Sequence, residues 1–529
     1  MKPTHRHLWL SLALALALAA PAQAQQPAPK PAGDAPTAER RENRAVEPGA
    51  LPANSVTRHR LQLPGRELSF TAIAGSMPLV DRAGKVEADI GFVAYLRDDG
   101  EDPARRPVTF ALNGGPGAAS AYLHLGVLGP WRLPLDGPTL PPSSAPVLVP
   151  NNETWLDFTD LVFIDPVGTG YSLTRPGTPD DLRNRLLSVD GDIEALSTVM
   201  TRWLKENGRL RSPKFFTGES YGGFRGPLLA EKLQTDHGVG LSGLVLLSPV
   251  LDFGWRSQPS WNPLPQVSLL PSAAAAALER RGAVTRSALR TVEAYATGEY
   301  VTDLLRGQNE PQALDRLGTR ISEVTGLDLN LARKLGGRLD MRTLQRELLR
   351  GEGLVASAYD TAVTAFDPNP IAPQGRFPDP VLEGMTAPLT SAIVDHLSRN
   401  LRWDVSDRRY QLLNGGVNGA WRWGGGRGQP EAMSALRSAL ALDTRLRVLV
   451  AHGFTDLVTP YFESELLLRQ VPDYGRAGRV RLEVYPGGHM FYSRDVSREA
   501  FRADAEAMYM EALRQRPVPA SADRSPGAL

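Results

Sequence analysis

The sequence predicts an α/β protein: a mostly parallel, doubly wound sheet, entered through antiparallel strands and interrupted late by a largely helical insertion. Three observations carry that prediction. Four short, fully apolar runs end in turn chemistry, "PVTFALNGGPG", "DLVFIDPVGTG", "SGLVLLSPVLD" and "LRVLVAHGFTD". Such runs suit strands buried on both faces, whose trailing loops gather at one edge of the sheet. Between them lie amphipathic stretches, and between Gln258 and Leu442 the chain turns to helix-forming blocks with no strong strand run.

From the N-terminus, "MKPTHRHLWLSLALALALAAPAQAQQ" has a basic start, an apolar run from Leu8 to Ala20 and the small-residue pattern Ala22-Gln23-Ala24. This reads as a secretory signal peptide over residues 1–24, cut after Ala24, so the mature chain is expected in the periplasm or secreted; an N-terminal anchor is the alternative. The run is short for a membrane span, and no later stretch qualifies. Residues 25–58 are rich in Pro, Ala and charge without apolar periodicity and read as a disordered linker; 516–529 reads as a disordered tail. The chain has no cysteine, so an exported protein must rest on core packing, which 529 residues amply allow. A net charge of +1 gives no footprint for nucleic acid.

"RHRLQL", "ELSFTAIAG" and "ADIGFVAYLRD" alternate or are β-branched and read as antiparallel strands opening the first core segment, 59–257. "GDIEALSTVMTRWLKE" places Ile193, Leu196, Val199, Met200, Trp203 and Leu204 on one helical face. Residues 258–442 are expected as a helical cap, with "GGVNGAWRWGGGRG" a loop within it, and 443–515 as the second core segment.

The chemistry is anchored by "FFTGESYGG", where Ser220 stands in Gly-x-Ser-x-Gly. A serine nucleophile needs a base that works near neutral pH, and histidine is the usual one. Of eight histidines, His5 and His7 lie in the leader, His59 is beside the linker, His237 is in a polar turn and His396 in the insertion. His124, after "NGGPG", reads as a packed surface histidine. That leaves His452 and His489. In α/β-hydrolases the order is Ser, acid, His, with acid and base on loops after late strands. Asp456 follows "LRVLV" and His489 follows "RVRLEV", whereas His452 precedes its acid, so Ser220, Asp456 and His489 form the candidate triad. The N–H of Tyr221, after the nucleophile, is one oxyanion donor, and Gly115 of "LNGGPG" is the chosen second.

With those residues assembled, "LNGGPG", "DPVGTGYS", "GESYGG", the Asp of "GFTDLVTP" and the His of "GGHM" resemble the serine carboxypeptidase family, peptidase family S10, over roughly Ser69 to Tyr509. The resemblance implies an α/β-hydrolase fold and release of C-terminal residues from peptides through an acyl-enzyme, with no metal or organic cofactor. It implies the same triad and oxyanion hole, and adds Asn113 and Glu219 as the pair that receives the substrate's terminal carboxylate, Glu219 then needing a raised pKa. "DPVGTGYS", with Asp165 and Tyr171, is expected to buttress the site or line a pocket. Family members are often dimeric, which leaves a homodimer open.

Three positions depart from the family pattern. Ala111 replaces a Trp, Ala118 replaces a Cys, and Val127 stands where a second acid often shares a proton with the Glu. An esterase or acyltransferase on the same triad is therefore the alternative, and a non-catalytic binding protein a more distant one.

Overall fold

The computed structural model describes residues 50–514, apart from 82, 135–140, 144, 257–260, 283, 373–374, 425–427 and 476. The expected signal peptide and C-terminal tail, and the linker up to residue 49, lie outside the described residues.

Strands β1 (Ser55–Leu63), β2 (Arg66–Val80) and β3 (Val86–Arg97) form an antiparallel meander. The parallel strands follow: β4 (Val108–Leu112), β5 (Asp160–Ile164), β6 (Lys214–Glu219), β7 (Gly243–Leu247), β8 (Arg447–Gly453) and β9 (Val480–Tyr485). The sheet order is β1-β2-β3-β5-β4-β6-β7-β8-β9, and a short strand, Leu173–Thr174, pairs beside β3. From β5 to β9 every pairing is parallel. This is the doubly wound sheet that the apolar runs predict.

Those runs are apolar throughout because each strand feeds two cores, one on each face of the sheet. Phe215, Val245, Leu247, Leu449 and Ala451 pack on one side against Phe501, Met508 and Tyr509 of helix Asp495–Arg514. Their neighbours Phe216, Leu244, Leu246, Val448 and Val450 pack on the other, against helices α1 (Val189–Glu206) and α2 (Tyr221–His237). The six apolar residues picked from α1 by helical spacing are all buried. Stacking of Phe215 on Tyr509, with centroids 3.8 Å apart, ties the C-terminal helix to the strand that leads into the candidate nucleophile.

Several boundaries differ from the sequence reading. The first strand begins at Ser55, inside the stretch assigned to the linker, because backbone pairing with Ala74 to Arg66 outweighs the polar composition of Ser55–Arg60. Helix Met433–Leu442, at the end of the expected cap, contributes Met433, Leu436, Ala439 and Leu440 to the sheet's own core. "GGVNGAW" is not a plain loop: Asn414 accepts from the N–H groups of Gly416 and Val417 and caps a short helix, Gly415–Ala420. Residues 264–400 are mainly helical, interrupted by a hairpin of Leu354–Ala356 with Thr364–Phe366; part of them forms a further apolar cluster with Phe454, Leu457, Tyr461 and Phe462, while Met385, Leu389 and Ile393 join the sheet's core. Among the described residues no helix is long and apolar enough to cross a membrane.

His124 is buried rather than on the surface. Its ring stacks on Phe163 at 4.3 Å, and the Tyr95 hydroxyl bridges it to His396 at 2.7 and 2.8 Å. Asn400 lies 3.1 Å from His396 Nδ1; with its amide donating there, His396 donates from Nε2 to Tyr95, which donates to His124. The relay needs both imidazoles neutral. Burial, reinforced by the charge of His59, pushes His396 down to about 3, and burial with the His396 charge holds His124 well below its ordinary value. The unfolded chain gains these protons below about pH 6.5 while the folded chain refuses them, so stability is full above that pH and is lost as pH falls. Urea midpoints should therefore decline from pH 7 to pH 4.5. A His396→Gln variant, weaker at pH 7, should decline less steeply; an equal slope in both would show that the pair stays clear of acid unfolding.

Candidate active site

The predicted residues converge at the C-terminal ends of β4, β6, β8 and β9. Ser220 sits between β6 and α2 with φ 61° and ψ −120°, in the left-handed half of backbone space that a residue with a Cβ adopts only under constraint. Its N–H donates to Leu247 O, and its carbonyl accepts from Gly223 N at the first turn of α2. The packing around this bend leaves no room for side chains. A Cβ on Gly222 would lie 2.4 Å from Leu112 O, and one on Gly218 would lie 2.1 Å from Gly222 O. The glycines of "GESYGG" are thus required by the close passage of β4, β6 and α2.

The "NGGPG" loop lies against the same bend, since a Cβ on Gly114 would be 2.6 Å from Tyr221 N and 2.8 Å from Ser220 Cβ. The Tyr221 and Gly115 N–H groups make no backbone hydrogen bond with other described residues, and Gly115 is exposed. Among the described residues both N–H groups are thus without a backbone partner, one on the residue after Ser220 and one on the residue after Gly114.

Asp456 and His489 are joined directly: His489 Nδ1 is 2.8 Å from Asp456 Oδ2. The carboxylate only accepts, so Nδ1 carries the hydrogen and Nε2 keeps a bare lone pair, the form a general base requires. Asp456 Oδ1 accepts from the N–H groups of Val458 and Thr459, and Oδ2 also accepts from the Thr459 hydroxyl at 2.6 Å. Burial works against a charged imidazole, but the charge and hydrogen bond of Asp456, aided by Glu219, raise His489 above its ordinary value. Burial would also raise Asp456, yet His489 and Thr459 hold it below the usual carboxylate range. Ser248, at the end of β7, donates to His489 O and fixes the loop. No hydrogen bond links the Ser220 hydroxyl to His489 among the described residues; Glu219, the residue before Ser220, feels the charge of His489.

Asn113 and Glu219 are in contact, with Asn113 Nδ2 donating to Glu219 Oε2 at 3.0 Å. The Asn113 amide is oriented by Leu123 N–H on Oδ1, and its backbone carbonyl accepts from Arg225 at 2.7 Å. Arg225 is itself paired with Asp192 of α1 at 2.6 Å, fully inside the protein. Burial raises Glu219 above the usual carboxylate range, against the opposing pull of His489, Tyr492 and Asn113.

Sequence reasoning missed Tyr492, Thr459 and the Arg225–Asp192 pair. Thr459 could have been found as the residue that an Asp three positions earlier caps; the other contacts are long-range and leave no local pattern. "DPVGTGYS" is a buttress: Asp165 accepts from Ser120 N–H and from the Tyr410 hydroxyl, and Tyr171 packs edge-on against Tyr410 and Trp403. Burial raises Asp165 to about 6.

Comparison with known proteins points the same way. A family model described as serine carboxypeptidase matches residues 91–273. Serine carboxypeptidase-like 45 of Arabidopsis thaliana is 28% identical over 213 residues, 38% of this chain and 42% of that protein. Serine carboxypeptidase-like 33 of the same plant is 33% identical over 162 residues, 29% of this chain and 31% of that protein. The matched stretches thus span less than half the length of these relatives. Among solved structures, KEX1(DELTA)P, a prohormone-processing carboxypeptidase from Saccharomyces cerevisiae, aligns with a TM-score of 0.54 at 16% identity, over 84% of this chain and 92% of that one. That likeness is one of fold, the α/β-hydrolase fold. The family window holds Asn113, Gly115, Glu219, Ser220 and Tyr221 but neither Asp456 nor His489; the sheet brings those two to the site.

The crowding at Gly222 sets a direct test. Gly222→Ala should cost about 3 kcal/mol of stability through overpacking, read as a lower urea midpoint. An unchanged midpoint would mean that β4 and α2 leave room for a methyl group between them.

Proposed function

The chain belongs to the serine carboxypeptidase family, peptidase family S10, and from that premise we propose that it hydrolyses the last peptide bond of peptides bearing a free C-terminal carboxylate. Ser220 is the nucleophile, His489 the general base and Asp456 the group that holds its tautomer. In this reading Ser220 Oγ attacks the terminal peptide carbonyl while His489 Nε2 takes its proton. The N–H groups of Gly115 and Tyr221 receive the oxyanion. His489 then gives the proton to the departing amino acid, and water, activated by the same imidazole, clears the acyl-enzyme.

The observation that carries exopeptidase rather than general acyl transfer is the Asn113–Glu219 pair placed next to the nucleophile. An ionised carboxylate so deeply buried is costly, and its carboxyl is raised by that burial. In protonated form Glu219 can donate to a substrate carboxylate beside the second amide hydrogen of Asn113; ionised, it repels the same group. The leader-like residues 1–24 support an exported, periplasmic or secreted enzyme as part of the same reading.

The test compares a blocked dipeptide, free acid against C-terminal amide, across pH, with Ser220→Ala as control. Serine-dependent cleavage of the free acid alone is expected, with activity falling as pH rises through the ionisation of Glu219. Glu219→Gln should flatten that alkaline limb. Equal cleavage of acid and amide, or turnover of simple esters only, would contradict the carboxypeptidase assignment and favour an esterase.

A further inference from the structure

The family pattern puts a second acid where this chain has Val127, and Val127 is buried and cannot share a proton. The structure fills that region with a different group. Tyr492 follows His489 in the short helical turn Phe491–Ser493, and its ring lies against Gly126, where an added Cβ would be 2.9 Å from Tyr492 Cε2. Its backbone carbonyl accepts from Arg498, and its hydroxyl donates to Glu219 Oε2 at 2.7 Å. Asn113 Nδ2 donates to the same oxygen at 3.0 Å.

Both donors therefore converge on Oε2, and among the described residues no group hydrogen-bonds Oε1. An oxygen that already receives two hydrogens is the poorer place for a third, so a protonated Glu219 carries its hydrogen on Oε1. We propose that Tyr492 is a positioning residue for the substrate's terminal carboxylate: together with Asn113 it pins Glu219 Oε2, so that Oε1 is the oxygen offered to the peptide C-terminus. This rests on the carboxypeptidase reading of the site and extends it to a residue outside the motifs.

A phenol and a second carboxyl have opposite consequences here. Two neighbouring carboxyls share a proton and favour the protonated form, whereas a phenol donates more strongly to the ionised carboxylate than to the acid and so favours ionisation. Tyr492, itself raised well above 10 by burial, stays neutral throughout. The other groups facing Glu219 are His489 and Asp456, of opposite influence, and the neutral phenols of Tyr122, buried, and Tyr359, half-buried, both near its charge. Removing the Tyr492 hydroxyl thus leaves the carboxyl easier to protonate but free to turn.

The experiment is Tyr492→Phe, assayed beside wild type, Glu219→Gln and the double variant. Substrates are a blocked dipeptide free acid and an ester of the same acyl group that lacks a terminal carboxylate. For Tyr492→Phe, kcat/KM on the free acid should fall about fivefold, mainly through KM, as expected for losing one hydrogen bond between neutral groups. Its alkaline limb should move to higher pH, and ester turnover should hold, which also certifies folding. In the Glu219→Gln background, Tyr492→Phe should move no alkaline limb. If wild type prefers the free acid and Glu219→Gln removes that preference, but Tyr492→Phe leaves KM and the limb in place, this inference falls while the function stands. It falls likewise if acid and ester turnover suffer equally. No free-acid preference in wild type overturns both.

Discussion

The site depends on one backbone constraint, the positive φ of Ser220 at the bend from β6 into α2. A residue with a Cβ held there costs on the order of 1–3 kcal/mol, and it persists only if its surroundings allow no alternative. Here they allow none. The bend is clamped from one side by the Leu247 carbonyl and from the other by the passage of Gly222 over Leu112. Arg225, one turn into α2, reaches back to the Asn113 carbonyl and forward to Asp192 of α1, tying the bend to the loop after β4. Removing either member of so buried a pair would leave an uncompensated charge, a loss of about 3–5 kcal/mol.

Electrostatics then couples what the backbone assembles. Asp456 lowers the cost of a proton on His489, while Glu219, next to the bend, responds to both. A neutral imidazole beside a protonated Glu219 and an imidazolium beside an ionised one hold the same number of protons. Each charge therefore bears on the other's proton: an imidazolium favours an ionised Glu219, and an ionised Glu219 favours the imidazolium. Thr459 and Asn113 decide how the pair is oriented: one fixes the carboxylate that serves His489, the other one edge of Glu219.

Much of this is legible in the sequence wherever the cause is local. The parallel strands are visible because burial on both faces demands uninterrupted apolar runs, and α1 because its buried stripe follows the helical repeat. Gly218 and Gly222 flag the bend because no other residue fits. What stays hidden comes from contacts distant in sequence. His124 reads as a surface residue because nothing near it announces Tyr95, Phe163 and His396. Tyr492 is invisible for the same reason: its meaning lies in Glu219, far back along the chain, and in the space left by Gly126. The start of β1 escapes a reading by composition because an edge strand held by backbone pairing needs little apolar character.

If the strained serine is the nucleophile of this protein, it must react where no other serine does. Reaction of the full chain with a fluorophosphonate, followed by intact mass and peptide mapping, shows this without assuming any substrate. A single adduct is expected, on Ser220, formed faster as pH rises through the titration of His489. An unlabelled protein, or an adduct on any other serine, would contradict the assignment.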